Sequence, residues 1–167
     1  MARPREFDAD EALEKAMELF WDVGYDEASL SELLDAMAIT KGSFYKAFQD
    51  KQSVYLAALD RYNDQVVSNT VAFLGDPSEG AGRDRILALF GRIADLAQKD
   101  GDRLGCFLCN ALVDKAGGAE AEARLQAMTR RLENGFYRAL QDDGVEGTEA
   151  RGTARGVLTA YFGLRVL

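Results

Sequence analysis

The sequence predicts an all-α fold, and three observations support this prediction. The 167-residue chain contains only two prolines, Pro4 and Pro77. Alanine, leucine, glutamate and arginine, which favour helices, are abundant, whereas the alternating pattern of strands is scarce. Side chains that cap helices also occur directly before apolar residues with helical spacing. We therefore expect helices to form all of the regular secondary structure.

The first two helices have recognisable ends. The first is predicted to begin at Asp8, whose carboxylate can accept from the free amides of the first turn, with Glu11 completing a box-like arrangement. It ends at Gly24, a residue suited to the left-handed conformation that terminates helices. A second helix, of about two turns, opens with the capping box of Ser29 and Glu32.

Two further helices follow at short intervals. Thr40 is the predicted N-cap of a helix over residues 41–48, whose apolar side chains lie one turn apart. Asp50 is the N-cap of a longer helix that runs from residue 51 to about 74.

A polar, glycine-rich segment over residues 75–82 separates this part from the rest of the chain. Shorter polar or glycine-containing stretches divide the remainder into four predicted helices. These lie at residues 83–99, 105–116, 119–141 and 149–167.

The composition excludes several classes of site. The chain has no histidine, which removes every Ser-His-Asp relay and every His-Glu-x-x-His zinc site. Its two cysteines, Cys106 and Cys109, are too few for a disulfide-built scaffold or a four-thiolate zinc site. No apolar run approaches the roughly 20 residues of a membrane span. We expect a cytoplasmic protein that is not an enzyme, has no membrane segment and uses no metal or cofactor.

The acidic residues are concentrated at the N-terminal end of the chain. The formal net charge is -8. Residues 1–62 hold 7 basic and 13 acidic side chains, a net of -6, and residues 63–167 hold 13 and 15, a net of -2. This distribution argues against non-specific coating of nucleic acid, so any contact with DNA must depend on a local basic patch.

The second and third predicted helices match the helix-turn-helix pattern, in which two short helices are joined by a tight turn and supported by a longer one. Phe44 and Phe48 anchor the third helix, so its other side chains point outward. Lysine suits a phosphate or a guanine edge, serine and tyrosine hydroxyls suit phosphates or base acceptors, and glycine allows close approach to DNA. The candidate DNA-binding residues are Lys41, Gly42, Ser43, Tyr45 and Lys46, with Ser29, Thr40, Lys51, Arg3 and Arg5 around them. Taken alone, Lys41 and Lys46 would more often belong to a solvated helix face than to a binding site. Their place in this pair of capped helices favours DNA binding instead.

Two segments carry a resemblance to a known family. Residues 16–33 (AMELFWDVGYDEASLSEL) and 40–51 (TKGSFYKAFQDK) resemble the DNA-binding domain of the TetR transcriptional regulators, over about residues 8–62. Residues 105–110 (GCFLCN) also resemble the Gly-Cys-x-Leu-x-Asn stretch of one branch of that family.

The resemblance implies a regulatory function. It implies a homodimeric repressor that binds a palindromic, double-stranded operator and is released by a small-molecule effector bound among the C-terminal helices. Carried over by position, the outward residues of the third helix face the major groove, and Thr40, Tyr45 and Lys51 contact phosphates. The helix-turn-helix domain then spans residues 1–50, and the effector-binding and dimerisation domain spans residues 51–167.

Members of the family continue into a further C-terminal helix, so the resemblance implies that this chain lacks the family's last helix. Either the sequence is shorter than the natural product or the dimer is built differently. Small residues recur every fourth position on the last predicted helix, and we expect the subunit interface there, although a ridge packed inside one subunit fits the spacing equally well. The interface candidates are Gly152, Gly156, Leu158, Ala160, Tyr161 and Leu164.

The effector pocket is the least determined feature. Aromatic side chains could line a cavity between helices, with one asparagine as a polar anchor, although aromatics at helical spacing usually fill a core. The candidate ligand-binding residues are Phe73, Phe90, Phe107, Asn110, Phe136, Tyr137 and Tyr161.

The two cysteines could have either a sensory or a structural role. Cys106 and Cys109 are candidate sensors of oxidants or electrophiles, because a cysteine at the start of a helix has a stabilised thiolate. As small apolar fillers they would simply lie in the core, which is the favoured interpretation. On a regular helix their Cβ atoms are about 5–6 Å apart, too far for a disulfide unless the first turn opens. A thiol-disulfide oxidoreductase, which would need a preceding strand, and a helical protein-interaction module are the competing functions.

Overall fold

The computed structural model describes residues 8–98 and 105–165. Within these ranges every regular element is a helix, which confirms the all-α prediction. The helices are α1 (Ala9–Glu27), α2 (Leu30–Ala36), α3 (Lys41–Ala47), α4 (Lys51–Tyr62), α5 (Ser68–Leu74), α6 (Gly82–Ala97), α7 (Phe107–Asp114), α8 (Gly118–Asp142) and α9 (Gly147–Leu164). A π-helical turn, Asn63–Val67, joins α4 to α5, and a short 3-10 helix, Pro77–Glu79, precedes α6.

Helix α1 begins where the sequence predicts but ends one turn later. The Asp8 carboxylate accepts from the amides of Asp10 and Glu11. Gly24 has a φ of 80°, so it interrupts the helix as expected. The chain then makes one more turn to Glu27. The glycine therefore marks a kink inside the helix instead of its end.

Helices α2 and α3 begin at the predicted caps. The hydroxyl of Ser29 accepts from the amide of Glu32, and the Glu32 carboxylate accepts from the amide of Ser29. Thr40 accepts from the third amide of α3. Leu33 and Phe44 are fully buried and hold the two helices against the core. The helix pair therefore has the compact helix-turn-helix arrangement that local capping and one apolar anchor per helix dictate.

The long helix predicted from residue 51 to 74 contains a π-helical turn at its centre. Asp50 caps its start as predicted, and its carboxylate accepts from the amide of Ser53. At the π turn, the Arg131 guanidinium of α8 donates to the Asn63 side chain and to the Ser68 hydroxyl. This contact from a distant helix holds the irregular turn, which explains why local propensity alone did not reveal it.

Helix α6 is capped by the end of α8. The Asp143 carboxylate accepts from the amides of Gly82 and Arg83, at 2.9 and 2.6 Å. The buried Arg85 side chain also forms an ion pair with Asp142. These contacts complement the unpaired amides and the positive dipole of the α6 N-terminus, and they fasten α6 to α8.

A continuous core connects the two ends of the chain. Helix α8 lies against α4, α5, α6, α7 and α9, while α1 packs against α4 and α7. The Trp21 ring of α1 lies 5.4 Å from the Tyr62 ring of α4 and 6.0 Å from the Phe107 ring of α7. The helix-turn-helix part is therefore supported by the same core that forms the C-terminal part.

Candidate nucleic-acid interface and buried thiol site

Helix α3 presents the predicted face to solvent. Phe44 is fully buried, whereas the next residue, Tyr45, is 52% exposed and rests edge-on against it, with ring centroids 5.3 Å apart. Lys41, Gly42 and Lys46 are exposed. One buried anchor thus fixes the helix while its neighbours remain available to a ligand as large as a duplex.

The start of α3 is held by its own hydroxyl groups. Thr40 Oγ1 accepts from the Ser43 amide at 3.1 Å and shares a 3.0 Å hydrogen bond with Ser43 Oγ. A Cβ added at Gly42 would meet only the Thr40 hydroxyl, at 3.9 Å. The backbone at Gly42 is therefore open, and close approach by a partner is not obstructed there.

We expect Thr40→Val to destabilise the chain by about 0.5–2 kcal/mol, because valine keeps the shape of threonine but cannot accept from the Ser43 amide. Urea unfolding followed by circular dichroism measures the change. Thr159→Val, an exposed substitution inside α9, is the matched control. An equal effect of the two substitutions would contradict the capping role of Thr40.

The remaining predicted DNA contacts have structural partners or lie outside the described residues. Lys51 Nζ donates to the Asp26 carbonyl at 3.3 Å and lies 4.5 Å from the centre of the Tyr25 ring, so it ties α4 to the end of α1. The Ser29 hydroxyl is used in the α2 capping box. The predicted arm residues Arg3 and Arg5 lie outside the described ranges.

The exposed lysines of α3 are free of internal ion pairs. Among the described residues, neither Lys41 nor Lys46 forms a salt bridge, whereas Lys15 on α1 pairs with Glu18 at 2.8 Å. Two exposed and unpaired cations thus lie on α3, where the sequence predicts a local basic patch.

The predicted ligand-binding residues do not form one group. Phe107 belongs to the aromatic contact with α1 and α4, whereas Phe90 and Phe136 lie 6.5 and 5.7 Å from the Tyr161 ring. Phe73 lies under the Arg92 guanidinium, 3.9 Å away. The Asn110 side chain donates to the Trp21 carbonyl at 3.5 Å, and Tyr137 lies 4.7 Å from the Arg151 guanidinium. Their role in effector binding stays a prediction.

The small-residue ridge of α9 faces outward, but two of its predicted neighbours do not. A Cβ added at Gly156 would meet no atom within 4 Å, and Ala160 is exposed. Leu164 is half-buried. By contrast, Leu158 and Tyr161 are buried inside the same subunit, on the side of α9 that faces α8. Their contribution to a subunit interface stays a prediction.

The two cysteines are not both on a regular helix, so the separation of 5–6 Å predicted for their Cβ atoms on a regular helix does not apply. Cys106 is the N-cap of α7, with an extended backbone at φ -118° and ψ 114°, and Cys109 lies in the first turn. Both thiols are buried, at 1% and 7% exposure. The Tyr62 hydroxyl of α4 lies 3.4 Å from the Cys106 sulfur. The described residues contain no group of three side chains able to hold a metal ion.

The surroundings of the two thiols shift their pKa values in opposite directions. Hydrogen bonding from the Cys109 thiol lowers the pKa of Cys106 to about 6, although burial opposes this, and the nearby Arg165 charge lowers it further. The same hydrogen bond, together with burial, raises the pKa of Cys109. Burial disfavours the charge of Arg165, yet the neighbouring Tyr62 and Tyr161 raise its pKa overall. Within the pair, the surroundings therefore favour the thiolate at Cys106 over the thiolate at Cys109.

Arg165 is a site residue that the sequence did not reveal. Its Nη2 donates to the Gly105 carbonyl at 3.4 Å, and Nη1 lies 3.5 Å from the Tyr161 hydroxyl. Gly105 has a φ of 63°, and a Cβ there would lie 2.8 Å from the Arg165 carbonyl. The end of α9 thus closes over the start of α7, and only a residue without a side chain fits between them. Sixty positions separate these residues in the chain, so no local pattern pairs them.

No helix within the described ranges has the length and apolar character needed to cross a membrane.

Comparisons with known proteins agree with this arrangement. Residues 12–58 match the family model of the bacterial regulatory proteins of the tetR family. The chain is 35% identical over 108 residues to the HTH-type transcriptional repressor ComR of Escherichia coli K12, an alignment that covers 65% of this chain and 51% of ComR. It therefore spans about half the length of that relative.

Solved structures extend the similarity to nearly the whole chain. A cysteine mutant of the TetR family transcriptional regulator CifR, complexed with 26-base-pair double-strand operator DNA, is 32% identical and superposes with a TM-score of 0.80, covering 98% of this chain and 88% of CifR. The reduced form of E. coli NemR shares the fold, with a TM-score of 0.82 at 22% identity over 92% of this chain and 82% of NemR. The chain therefore belongs to the TetR family of transcriptional regulators.

Proposed function

We propose that this chain is a homodimeric DNA-binding repressor, which reads a palindromic operator through α3 and is released by a small-molecule effector. The observation that carries the proposal is the exposed face of α3, where Tyr45 and two unpaired lysines surround a helix anchored by buried Phe44. Similarity to CifR, whose mutant was solved on operator DNA, supports it. In this proposal residues 1–50 bind DNA and residues 51–167 bind the effector and the second subunit, in the cytoplasm.

The coupling between the two parts passes through α4. In the turn between α7 and α8, the Gly117 carbonyl accepts from Gln52 Nε2 of α4 at 3.0 Å. A Cβ added at Gly117 would lie 2.7 Å from the Tyr55 ring, so this turn presses directly against α4. An effector that prefers a shifted α7 would move α4 and change the separation of the two recognition helices. An effector that binds both conformations of the protein with equal affinity would leave DNA binding unchanged.

Selection of duplexes from a random library by the purified chain tests this proposal. We expect enrichment of an inverted repeat whose half-site centres are about 34–36 Å apart or a multiple of that distance. The mass of the complex should correspond to an even number of chains per duplex. Equal retention of all duplexes at physiological salt would overturn the proposal, since non-specific binding shows no sequence preference.

A second candidate function, thiol-based sensing of oxidants or electrophiles, is favoured by one observation. The Cys106 sulfur has a pKa lowered to about 6 and touches Tyr62, the last residue of α4. A reaction at Cys106 would therefore alter a contact on the helix that follows the DNA-binding part. The chain is also 30% identical over 121 residues to the E. coli repressor NemR, which covers 67% of this chain and 60% of NemR. Such a sensor remains a regulator and is not an enzyme.

The pH dependence of cysteine alkylation tests whether the pKa of Cys106 is lowered. Because Cys106 has a lowered pKa, its thiolate fraction rises as the pH increases through about 6. We expect the rate of iodoacetamide labelling at Cys106 to follow this rise, while Cys109 reacts little below pH ~9 because its pKa is raised. Peptide mass spectrometry distinguishes the two positions. Equal rates at both cysteines, or a midpoint near the ordinary thiol value, would contradict the assignment.

A further inference from the structure

The position of Cys106 at a helix N-cap changes what the two cysteines can do together. An N-cap side chain normally reaches the third residue of its helix, as the hydroxyl of Thr40 does in α3. In α7 that third residue is Cys109. The Cys106 side chain makes no capping hydrogen bond of the Thr40 kind. Its sulfur instead has the Cys109 thiol as a hydrogen-bond partner. The extended backbone of Cys106 supplies the freedom that two residues inside a regular helix lack.

The two thiols are chemically unequal. Cys106 is next to the Tyr62 hydroxyl and within the field of Arg165, both of which favour its thiolate. Cys109 keeps its proton, since its own pKa is raised. One sulfur is therefore a nucleophile, and its neighbour holds the proton that a leaving oxygen needs.

We propose that Cys106 and Cys109 form a peroxide-oxidised modification site, in which Cys106 reacts with a hydroperoxide and Cys109 resolves the product to an intrachain disulfide. This inference rests on the thiol-sensing function proposed above and adds the class of oxidant, the order of reaction and the product. Because both thiols are buried, we assign the oxidant to the smallest hydroperoxide, hydrogen peroxide.

The chemistry proceeds in two balanced steps. The Cys106 thiolate attacks one peroxide oxygen and the O–O bond breaks, which leaves Cys106 as a sulfenic acid. The released hydroxide takes up a proton from solvent and becomes the first water. The Cys109 sulfur then attacks the Cys106 sulfur and the S–O bond breaks. The departing hydroxide and the Cys109 proton form a second water. Two electrons pass from the sulfur pair to the peroxide.

Formation of the disulfide alters a contact on α4. The Tyr62 hydroxyl lies 3.4 Å from the Cys106 sulfur. A thiolate at Cys106 is a charged acceptor for that hydroxyl, whereas a disulfide sulfur is neutral and accepts weakly. The buried Tyr62 hydroxyl loses a charge-assisted partner, directly before the π-helical turn. We expect this loss to shift the end of α4, the helix that connects the DNA-binding part with the body of the protein.

The test uses the full chain, reduced and freed of reductant, then treated with one equivalent of hydrogen peroxide. Iodoacetamide labelling and peptide mass spectrometry follow the segment that contains both cysteines. We expect this peptide to lose two hydrogen atoms and both labelling sites, and to recover them with dithiothreitol. In Cys109→Ser, Cys106 should stop at the sulfenic acid, which dimedone traps. In Cys106→Ser, Cys109 should stay reduced, with oxidation slowed at least 10-fold.

Several outcomes would overturn the inference. They are a wild-type chain that keeps both thiols reduced, the same oxidation product in wild type and Cys109→Ser, or fast oxidation of Cys109 without Cys106. Circular dichroism confirms that each serine variant is folded. Operator binding by the reduced wild-type chain is measured separately. If the reduced chain binds its operator but peroxide forms no disulfide, only this inference is contradicted. If the disulfide forms but the reduced chain binds no operator, the proposed regulatory function is contradicted.

Discussion

Gly82→Ala should destabilise the protein by about 3 kcal/mol or more, the largest effect expected from a methyl group added at any of the described glycines. A Cβ at this position would lie 1.7 Å from the carbonyl oxygen of Ala139, a backbone atom of α8 that cannot rotate away. Relief of the clash would separate α6 from α8 and break the bonds from Asp143 to the amides of Gly82 and Arg83. Urea denaturation followed by circular dichroism measures the loss.

Gly91→Ala is the matched control within the same helix. A Cβ at Gly91 meets no atom within 4 Å, and the residue is exposed. Here alanine should stabilise the protein by about 0.5–1 kcal/mol, because glycine loses more backbone entropy in a helix. If both substitutions had the same sign, the close approach of α6 to α8 at Gly82 would be wrong.

Tyr45→Ala should lower operator affinity about 10- to 100-fold and change stability by about 1 kcal/mol at most. Tyr45 is half-exposed on the outward face of α3, and its only described ring contact is the edge-on one with Phe44. We therefore expect the Tyr45 side chain to contribute more to the affinity for a partner than to the stability of the fold. Fluorescence anisotropy of a labelled operator duplex measures the affinity, and thermal unfolding measures the stability.

Tyr45→Phe separates the hydroxyl from the ring. It preserves the contact with Phe44 and removes only a hydrogen-bonding group, so we expect normal stability and an affinity between those of wild type and Tyr45→Ala. Wild-type affinity in both variants would show that α3 does not present Tyr45 to DNA.

Local signals were sufficient for much of the fold. Capping at Asp8, Ser29, Thr40 and Asp50 depends on residues at most three positions apart, so the sequence located the starts of four helices. The exposed face of α3 followed from the same logic, because Phe44 as the buried anchor determines which neighbours point outward.

Contacts between distant residues were not predictable in this way. Asp143 caps α6 from 61 positions away, and Arg131 holds the π turn from a facing helix. The character of Cys106 depends on Tyr62 and Arg165, which only the tertiary structure brings together. The spacing of small residues on α9 likewise left two alternatives open, because spacing alone does not show which face of a helix meets solvent and which side carries the buried Leu158.

The salt dependence of operator binding shows whether the exposed cations of α3 contact the DNA backbone. The slope of log affinity against log salt concentration is compared for wild type, Lys46→Ala and Lys115→Ala, the last being an exposed lysine beyond α7. We expect a slope about one unit shallower for Lys46→Ala and an unchanged slope for Lys115→Ala. Identical slopes for the two variants would contradict this expectation.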